Sequence, residues 1–411
     1  MNNQRNSNKV INDKSFYFAS CPRGCEQYLV NELRANGIEG KAGRGGAAFK
    51  ARNKATVEYI LNARIASRVF KEVGYFYIRD EKQIYKRAGE LPWEDYITPE
   101  QTFKINTLLD GESKELFKSS IFLSQTLKDS LVDYMRDKFG KRPNVETTTP
   151  TVTFLQRVEK VKEGCKVIVY ADMVGESLDK RGYRESGHRA PLRENLAASL
   201  IAETKWDCQG PFYDPMAGSG TILIESIIYF LKLSPAFFRL KKNTTPYSFT
   251  NHPWFQDSNL VDWYFDKVHE VMTDSQEKID SIPSDKFFYN DADVENFKLA
   301  RAHLLDCFGR VDFVNFNCEE FSKASVPAGF ERGIVLFNPP YGERIQAIGF
   351  EDINDFYYEI GETLKNNFKG STAYILTAHG PLRKNIRLKT SKKTEFLNGD
   401  IECRLLKYEL M

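Results

Sequence analysis

Long apolar runs are missing from this sequence. The longest, around Ile222–Leu233, is interrupted by Glu225 and Ser226 and is too short to span a bilayer. A signal peptide is missing too: the first fourteen residues are polar and rich in Asn, and a disordered tail is expected over 1–14. Cysteines are few and unpaired. The seven are scattered without the spacing of a disulfide framework, which fits a reducing cytoplasm. Cys21 and Cys25 are the only close pair, and with no second pair or His cluster nearby no metal site is expected. No low-complexity tract or clear internal repeat interrupts the chain. What remains is a globular, soluble composition, 41% hydrophobic and 28% charged, with 411 residues to fill two or three domains.

Charge of one sign is scarce overall, since the net value is only +2, but it is unevenly placed. Residues 1–190 hold 33 Lys/Arg against 25 Asp/Glu, and the remainder holds 25 against 31. A basic front half and an acidic back half suit a polyanion held by one part of the chain and worked on by another. From Ser15 to about Phe70 the pattern reads as a small α/β unit, with helices over "CEQYLVNELRANG" and "ARNKATVEYILNARIASRVF". Strand patterns ("TFKINTLL", "TVTFLQRV", "CKVIVYADMV") and one helix ("SSIFLSQTLKDSLVDYMRDKFG") follow to about 178. Residues 179–190 read as an Arg- and Gly-rich linker. From 191 strands and helices alternate, which predicts a mostly parallel sheet with helices on both faces. "KKTEFLNGDIECRLLKYEL" adds an antiparallel hairpin about Asn398-Gly399 at the sheet edge. Residues 232–286, aromatic-rich and less regular, read as an insertion that could cover a substrate.

"DPMAGSGT" lies between a short apolar segment and a strongly apolar helix, the strand–turn–helix setting that brings a nucleotide-like ligand against the backbone. A dinucleotide fingerprint would place its third glycine at 223, which is Leu. Asp214 at the start of the turn would repel a pyrophosphate but suits an ammonium group. A ligand with an amino-acid end and a nucleoside end therefore fits better than NAD: S-adenosylmethionine. Asp214, Pro215, Ala217, Gly218, Gly220 and Thr221 form the expected cradle. Asp291, with Asp293 as second choice, follows the next strand and can take both ribose hydroxyls. Asn317 and the Cys318 backbone, after the third strand, face the adenine amine.

"VLFNPPYGER" completes the series after the fourth strand. Asn338 and the Pro339 carbonyl offer acceptors to an amine, and proline brings no competing N–H. Asn338 also closes the cofactor site, and Tyr341 is expected to stack on a flipped base. Such a site methylates an exocyclic amine and needs neither a metal nor a dedicated general base. The alternative for each of these stretches is a rigid turn or core packing.

Several stretches together carry a family resemblance: "FYFASCPRG", "KRPNV", "KRGYR", "APLRENLAA", "DPMAGSGT", "NPPYGER" and "NGDIECRLLKY". From Ser15 onward the chain resembles the THUMP-containing guanine-N2 methyltransferases of bacterial 23S ribosomal RNA, in the single-activity form without a fused second methyltransferase domain. The resemblance implies a ferredoxin-like unit over 15–70, a THUMP RNA-binding domain over 71–178 and a class I, Rossmann-like methyltransferase domain over 191–411. It implies S-adenosylmethionine as cofactor, 23S rRNA or a large-subunit precursor as partner, no obligate protein partner, and the cytoplasm as location. Many class I enzymes carry Asp where Asn317 stands; an Asn still accepts if its oxygen faces the amine. Arg44, Lys141 and Arg142 are the candidate phosphate contacts. Arg181 and Arg184 are expected either to touch phosphate or to dock two domains. His188 reads as a linker residue, and His252 and Trp254 as substrate-mouth or packing residues. The other readings left open are an N6-adenine or protein-glutamine methyltransferase, which share an Asn-Pro-Pro-Tyr site, and a non-catalytic RNA-binding assembly factor. A dinucleotide oxidoreductase is disfavoured by Leu223.

Overall fold

The computed structural model describes residues 14–117, 119–183, 192–324, 330, 332–340, 353–378 and 384–411. Strand β1 (Lys14–Ser20) buries Tyr17 and Ala19 and turns Phe16 to solvent, the period-2 pattern of a sheet with one covered face. It is followed by α1 (Glu26–Ala35), β2 (Gly40–Gly43), β3 (Gly46–Arg52), α2 (Asn53–Asn62), β4 (Arg68–Ile78) and α3 (Gln83–Ala88). Then come β5 (Thr102–Leu109), α4 (Ser113–Leu116), α5 (Ser120–Phe139), β6 (Asn144–Val145), β7 (Val152–Lys160) and β8 (Cys165–Asp172). Helix α5 starts where the Ser119 hydroxyl accepts from Phe122 N and stops at Gly140 with φ 69°. Its Leu123, Leu127 and Leu131 recur every fourth residue and are buried on the sheet.

The helix expected over "ARNKATVEYILNARIASRVF" is shorter than its apolar periodicity suggests. It ends at Asn62, because the amides of Arg64 and Ile65 leave it to bond the Glu32 carboxylate of α1, at 2.9 and 3.1 Å. Arg68 to Phe70 then become the start of β4. That strand joins what read as two units. It pairs with β1 on one edge and β8 on the other, giving one eight-stranded sheet in the order β2-β3-β1-β4-β8-β7-β5-β6. The boundary expected at residue 70 falls inside it.

The second half contains α6 (Glu194–Thr204), β9 (Phe212–Asp214), α7 (Thr221–Leu231), α8 (Ala236–Leu240), α9 (Pro253–Gln256) and α10 (Leu260–Asp280). It continues with β10 (Phe287–Asn290), α11 (Val294–Phe308), β11 (Val314–Asn317), β12 (Ile334–Phe337), α12 (Ile353–Asn367), β13 (Thr372–Ala378), β14 (Lys392–Asn398) and β15 (Ile401–Glu409). The sheet order is β11-β10-β9-β12-β13-β15-β14, parallel from β11 to β13 and antiparallel at β15 and β14. Among the described residues no helix is long and apolar enough to cross a membrane.

Residues 232–286 are more regular than their composition suggests, since α10 alone runs for 21 residues. They lie against the N-terminal half. Phe249 N bonds Met173 O, the Ser234 hydroxyl bonds Leu61 O, and the Lys71 amine lies 4.0 Å from the Trp254 ring centre. His252 is wholly buried, with its ring nitrogens 2.8 Å from Tyr96 O and 3.2 Å from Asp172 O. It is a packing residue, and the substrate-mouth reading of it fails.

Burial lowers the His252 pKa from 6.5 to about 4; the two carbonyls oppose this and Lys71 adds to it. The folded chain keeps the ring neutral down to about that value, whereas the unfolded chain takes up a proton near 6.5. The stabilisation is therefore fully present above 6.5 and lost as pH falls toward 4, by about 3 kcal/mol. Melting curves from pH 7 to 4 should show a shallower acid loss for His252→Gln than for the parent. Parallel curves would remove this residue from the acid sensitivity of the interface.

Candidate active site

The strand order reverses at β9, with β10 on one side and β12 on the other, and in open α/β sheets ligands bind outside the carboxyl ends of the strands at such a point. Four sequence candidates are carried there. Asp214 is the last residue of β9, Asp291 follows β10, Asn317 ends β11, and Asn338 follows β12.

The turn after β9 departs from ordinary backbone at two glycines, Gly218 (φ 53°) and Gly220 (φ 82°). A Cβ at Gly218 would meet nothing within 4 Å, so the turn faces open space, whereas one at Gly220 would press on Ala300 of α11 at 3.3 Å. Asp214 is 1% exposed. Among the described residues its Oδ1 has only a long contact from Met216 N, 3.4 Å, and its Oδ2 is buried without a partner. Burial lifts its pKa well above the usual carboxylate range; the Met216 amide resists this and the Asp291 charge adds to it. A buried acceptor left open in this way is rare in a native structure and calls for a donor.

Asp291 ties the neighbouring strand end to the turn. Its Oδ2 accepts from Gly218 N at 2.7 Å, and its Oδ1 from Asp293 N at 3.0 Å and Asn296 Nδ2 at 3.1 Å. Burial raises its pKa, against the pull of those donors. Asp293, the second choice for ribose, is exposed and caps α11 by accepting from Glu295 N at 2.8 Å. Its carboxylate is already committed to the helix start.

Sequence reasoning missed Asn290. It is fully buried at the end of β10 and holds three strand ends in place. Its amide nitrogen donates to Pro215 O (3.0 Å) and Glu319 O (2.9 Å), its side-chain oxygen accepts from Glu319 N (3.2 Å), and its backbone oxygen accepts from Ala217 N (3.0 Å). Tyr289 adds a bond from its hydroxyl to Gly218 O at 2.9 Å. The available signal was a polar Asn ending the apolar run "FFYN", directly before the acid.

On the far side of the switch point, Asn338 Oδ1 is buried and has no hydrogen-bond partner among the described residues. Pro339 beside it is buried, and Pro340 is half-buried. Asn317 is half-buried and Cys318 exposed, at the end of β11 next to Asn290. Pro215 and Thr221 are buried and Ala217 is half-buried in the turn. Tyr341, Arg184 and His188 lie outside the described residues.

The basic candidates divide. Arg44 is exposed in the turn between β2 and β3, and Lys141 and Arg142 are exposed before β6, at the opposite edge of the sheet. Arg181 is not a phosphate contact. It is 1% exposed, with its guanidinium on Glu225 of α7 (3.2 Å) and on the carbonyls of Ala63 (3.3 Å), Arg64 (2.5 Å) and Leu178 (2.8 Å). No polyanion reaches it; it docks the two halves. Arg181 therefore takes the second of its two expected roles.

A central strand ending in Asp and a glycine turn, with Asn-Pro-Pro across the reversal and an antiparallel last pair, defines a class I methyltransferase domain. Family comparison gives the same assignment. Residues 181–407 match the RMKL-like methyltransferase domain, 78–169 the THUMP domain, and 17–70 the ferredoxin-like domain of RlmL. The chain belongs to the RMKL-like methyltransferase family. It is 30% identical over 397 residues to "Putative RNA methyltransferase slr0064" of Synechocystis sp. (strain ATCC 27184 / PCC 6803 / Kazusa), covering 96% of each chain. It is 30% identical over 406 residues to the "Ribosomal RNA large subunit methyltransferase K/L" of Syntrophotalea carbinolica, covering 96% of this chain and 53% of that one. The chain thus spans about half the length of the K/L relatives that it matches. Among solved structures, SMU.472 complexed with SAH matches with a TM-score of 0.80 at 25% identity, over 97% of this chain and 99% of that one.

Proposed function

We propose that the chain transfers a methyl group from S-adenosylmethionine to the exocyclic N2 amine of a guanine in large-subunit (23S) ribosomal RNA. The observation that carries this reading is the pair of buried acceptors, Asp214 Oδ2 and Asn338 Oδ1, unpartnered among the described residues at the carboxyl ends of the adjacent strands β9 and β12, where the strand order reverses. Each costs about 1–3 kcal/mol while it stays open, and each is satisfied by a donor that the reaction brings.

S-adenosylmethionine supplies an activated methyl group on a sulfonium centre. Asp214 suits its ammonium end, because a cation beside the buried acid restores the carboxylate form that burial disfavours. Asp291 keeps lone pairs for ribose hydroxyls beside its three protein donors, and Asn317 with the Cys318 backbone reads the adenine edge. The guanine N2 lone pair is delocalised into the ring, so the nitrogen is a poor nucleophile. Asn338 Oδ1 and the Pro339 carbonyl accept its hydrogens as the nitrogen turns tetrahedral and gains positive charge, which places the stabilisation at the transition state. The base is flipped to reach them, with Tyr341 as the stacking partner. The proton leaves to water after transfer. The RNA-type names of the two relatives and the THUMP match support a ribosomal RNA substrate.

Asp291→Ala is expected to weaken the cofactor by about 1.5–3 kcal/mol in a calorimetric titration, since charged acceptors contribute on that scale. Because Asp291 also holds Gly218, the melting temperature is recorded alongside. Unchanged affinity would move ribose recognition elsewhere. The reaction itself is tested by incubating the protein with ribosomal RNA from a strain lacking its gene and labelled S-adenosylmethionine, then analysing nucleosides. N2-methylguanosine is the expected product. N6-methyladenosine would overturn the base assignment, and cofactor binding without transfer to any RNA would favour an assembly factor.

A further inference from the structure

The eight-stranded sheet has two unlike faces. Helices cover one, and Lys71 on that side meets Trp254 of the second half. The other is open, and it carries rings. Phe16, Tyr75 and Tyr77 are 55%, 52% and 57% exposed on strands β1 and β4. They border a floor of Phe70, Ile168 and Tyr170, with Phe18 and Leu155 packed against it. The register places these residues on one side: Phe18 opposite Phe70, Tyr75 opposite Ile168, and Tyr77 opposite Lys166. Exposed aromatics in a contiguous patch are unusual on a surface without a partner.

Cations stand among the rings. Lys50 lies 5.0 Å from the centre of Phe16, Arg157 lies 5.1 Å from Phe18, and Lys166 lies 4.4 Å from Tyr75. Lys41, Arg52 and Lys104 project from the same face further along the sheet. Its carboxylates are Glu72, Glu159, which pairs with Arg157 at 2.9 Å, and Asp172, which pairs with Arg68. Positive charge is therefore in excess on a surface of flat rings. A double-stranded RNA would use the charge and leave the rings idle. A folded protein partner would be met by the amines of Lys50 and Lys166, which form no ion pair among the described residues. An unpaired strand uses both, with bases on the rings and phosphates on the amines.

We infer that this open face is a platform for a single-stranded RNA segment that flanks the target, with Phe16, Tyr75 and Tyr77 stacking bases and Lys50, Arg157 and Lys166 holding phosphates. The inference rests on the RNA substrate proposed above and extends it to a second contact. The face points away from the side that meets the second half, so it anchors a flank and takes no part in presenting the reacting base. Exposed Arg44 lies in a turn at one edge of this sheet, and exposed Lys141 and Arg142 lie before the strand at the other.

The test uses the full chain and a fluorescein-labelled single-stranded oligoribonucleotide of mixed sequence, followed by anisotropy. The Tyr75→Ala/Tyr77→Ala variant is expected to bind about tenfold or more weaker. Tyr75→Phe/Tyr77→Phe should bind like the parent, because the rings remain. Tyr75→Leu/Tyr77→Leu keeps apolar area without stacking and should resemble the alanine form, which covers any folding defect in the latter. Binding of a blunt RNA duplex should be unchanged in all of them. Parent-like single-strand affinity in both the alanine and the leucine variants would overturn the platform. Equal losses for strand and duplex would also overturn it, in favour of charge alone. Retained binding accompanied by a change in oligomeric mass would assign the face to protein. S-adenosylmethionine affinity, measured on the same samples, reports on the active site separately, so either reading can fail alone.

Discussion

Asn338→Ala is expected to leave folding and S-adenosylmethionine affinity nearly intact while the single-turnover rate of methyl transfer falls by about 10²–10³, the scale of one lost transition-state acceptor. The side chain is well placed to show this split. Its oxygen is buried just after β12 and accepts no hydrogen bond among the described residues, so losing that acceptor removes no bond described in the fold. Asn338→Asp should be milder, since a carboxylate still accepts from the amine and stabilises the charge that develops there. The measurement is transfer of labelled methyl to ribosomal RNA with enzyme in excess, beside an independent cofactor titration. A full rate in Asn338→Ala would reduce Asn-Pro-Pro to a rigid turn.

The second large effect is on stability. Arg181 and Glu225 are 1% and 0% exposed and join the two halves of the chain, and Tyr183 donates to the same carboxylate at 3.1 Å. Removing one partner leaves an uncompensated charge where water cannot reach. Glu225→Ala is therefore expected to cost about 3–5 kcal/mol in urea unfolding. Arg181→Met/Glu225→Leu should recover only part of that loss: apolar side chains need no counter-charge, but the Ala63, Arg64 and Leu178 carbonyls and the Tyr183 hydroxyl give up these bonds. An alanine variant as stable as the parent would show that the interface relaxes enough to hydrate the guanidinium.

What could be read from the sequence was what short stretches determine. The glycine turn before α7 is coded by residues adjacent to one another, and so is the Asn398-Gly399 hairpin between β14 and β15. Asp291 was placed correctly after β10 because an acid ending an apolar strand is a local signal. The misses depended on distant partners. Asn290 matters through Pro215 and Glu319, 75 and 29 residues away, and nothing in "FFYN" states that they meet there. Arg181 had two readings of equal merit until burial against Glu225 decided between them. Helix α2 stopped early because Glu32, on another helix, drew its last amides away. In residues 232–286 a helical stripe was legible in principle, but the crowding of aromatics hid it, and only docking shows that they serve the interface.

Strand β4 has a bearing on how the N-terminal half can be divided. Two domain types meet within it, yet its backbone is hydrogen-bonded on both sides, to β1 and to β8. A cut at the domain seam would leave each fragment with a raw sheet edge, and raw edges recruit other chains. The ferredoxin-like and THUMP portions are thus one physical body bearing two labels. Any graft, truncation or shuffled hybrid that exchanges them has to carry β4 whole, and the partner of its abandoned edge with it.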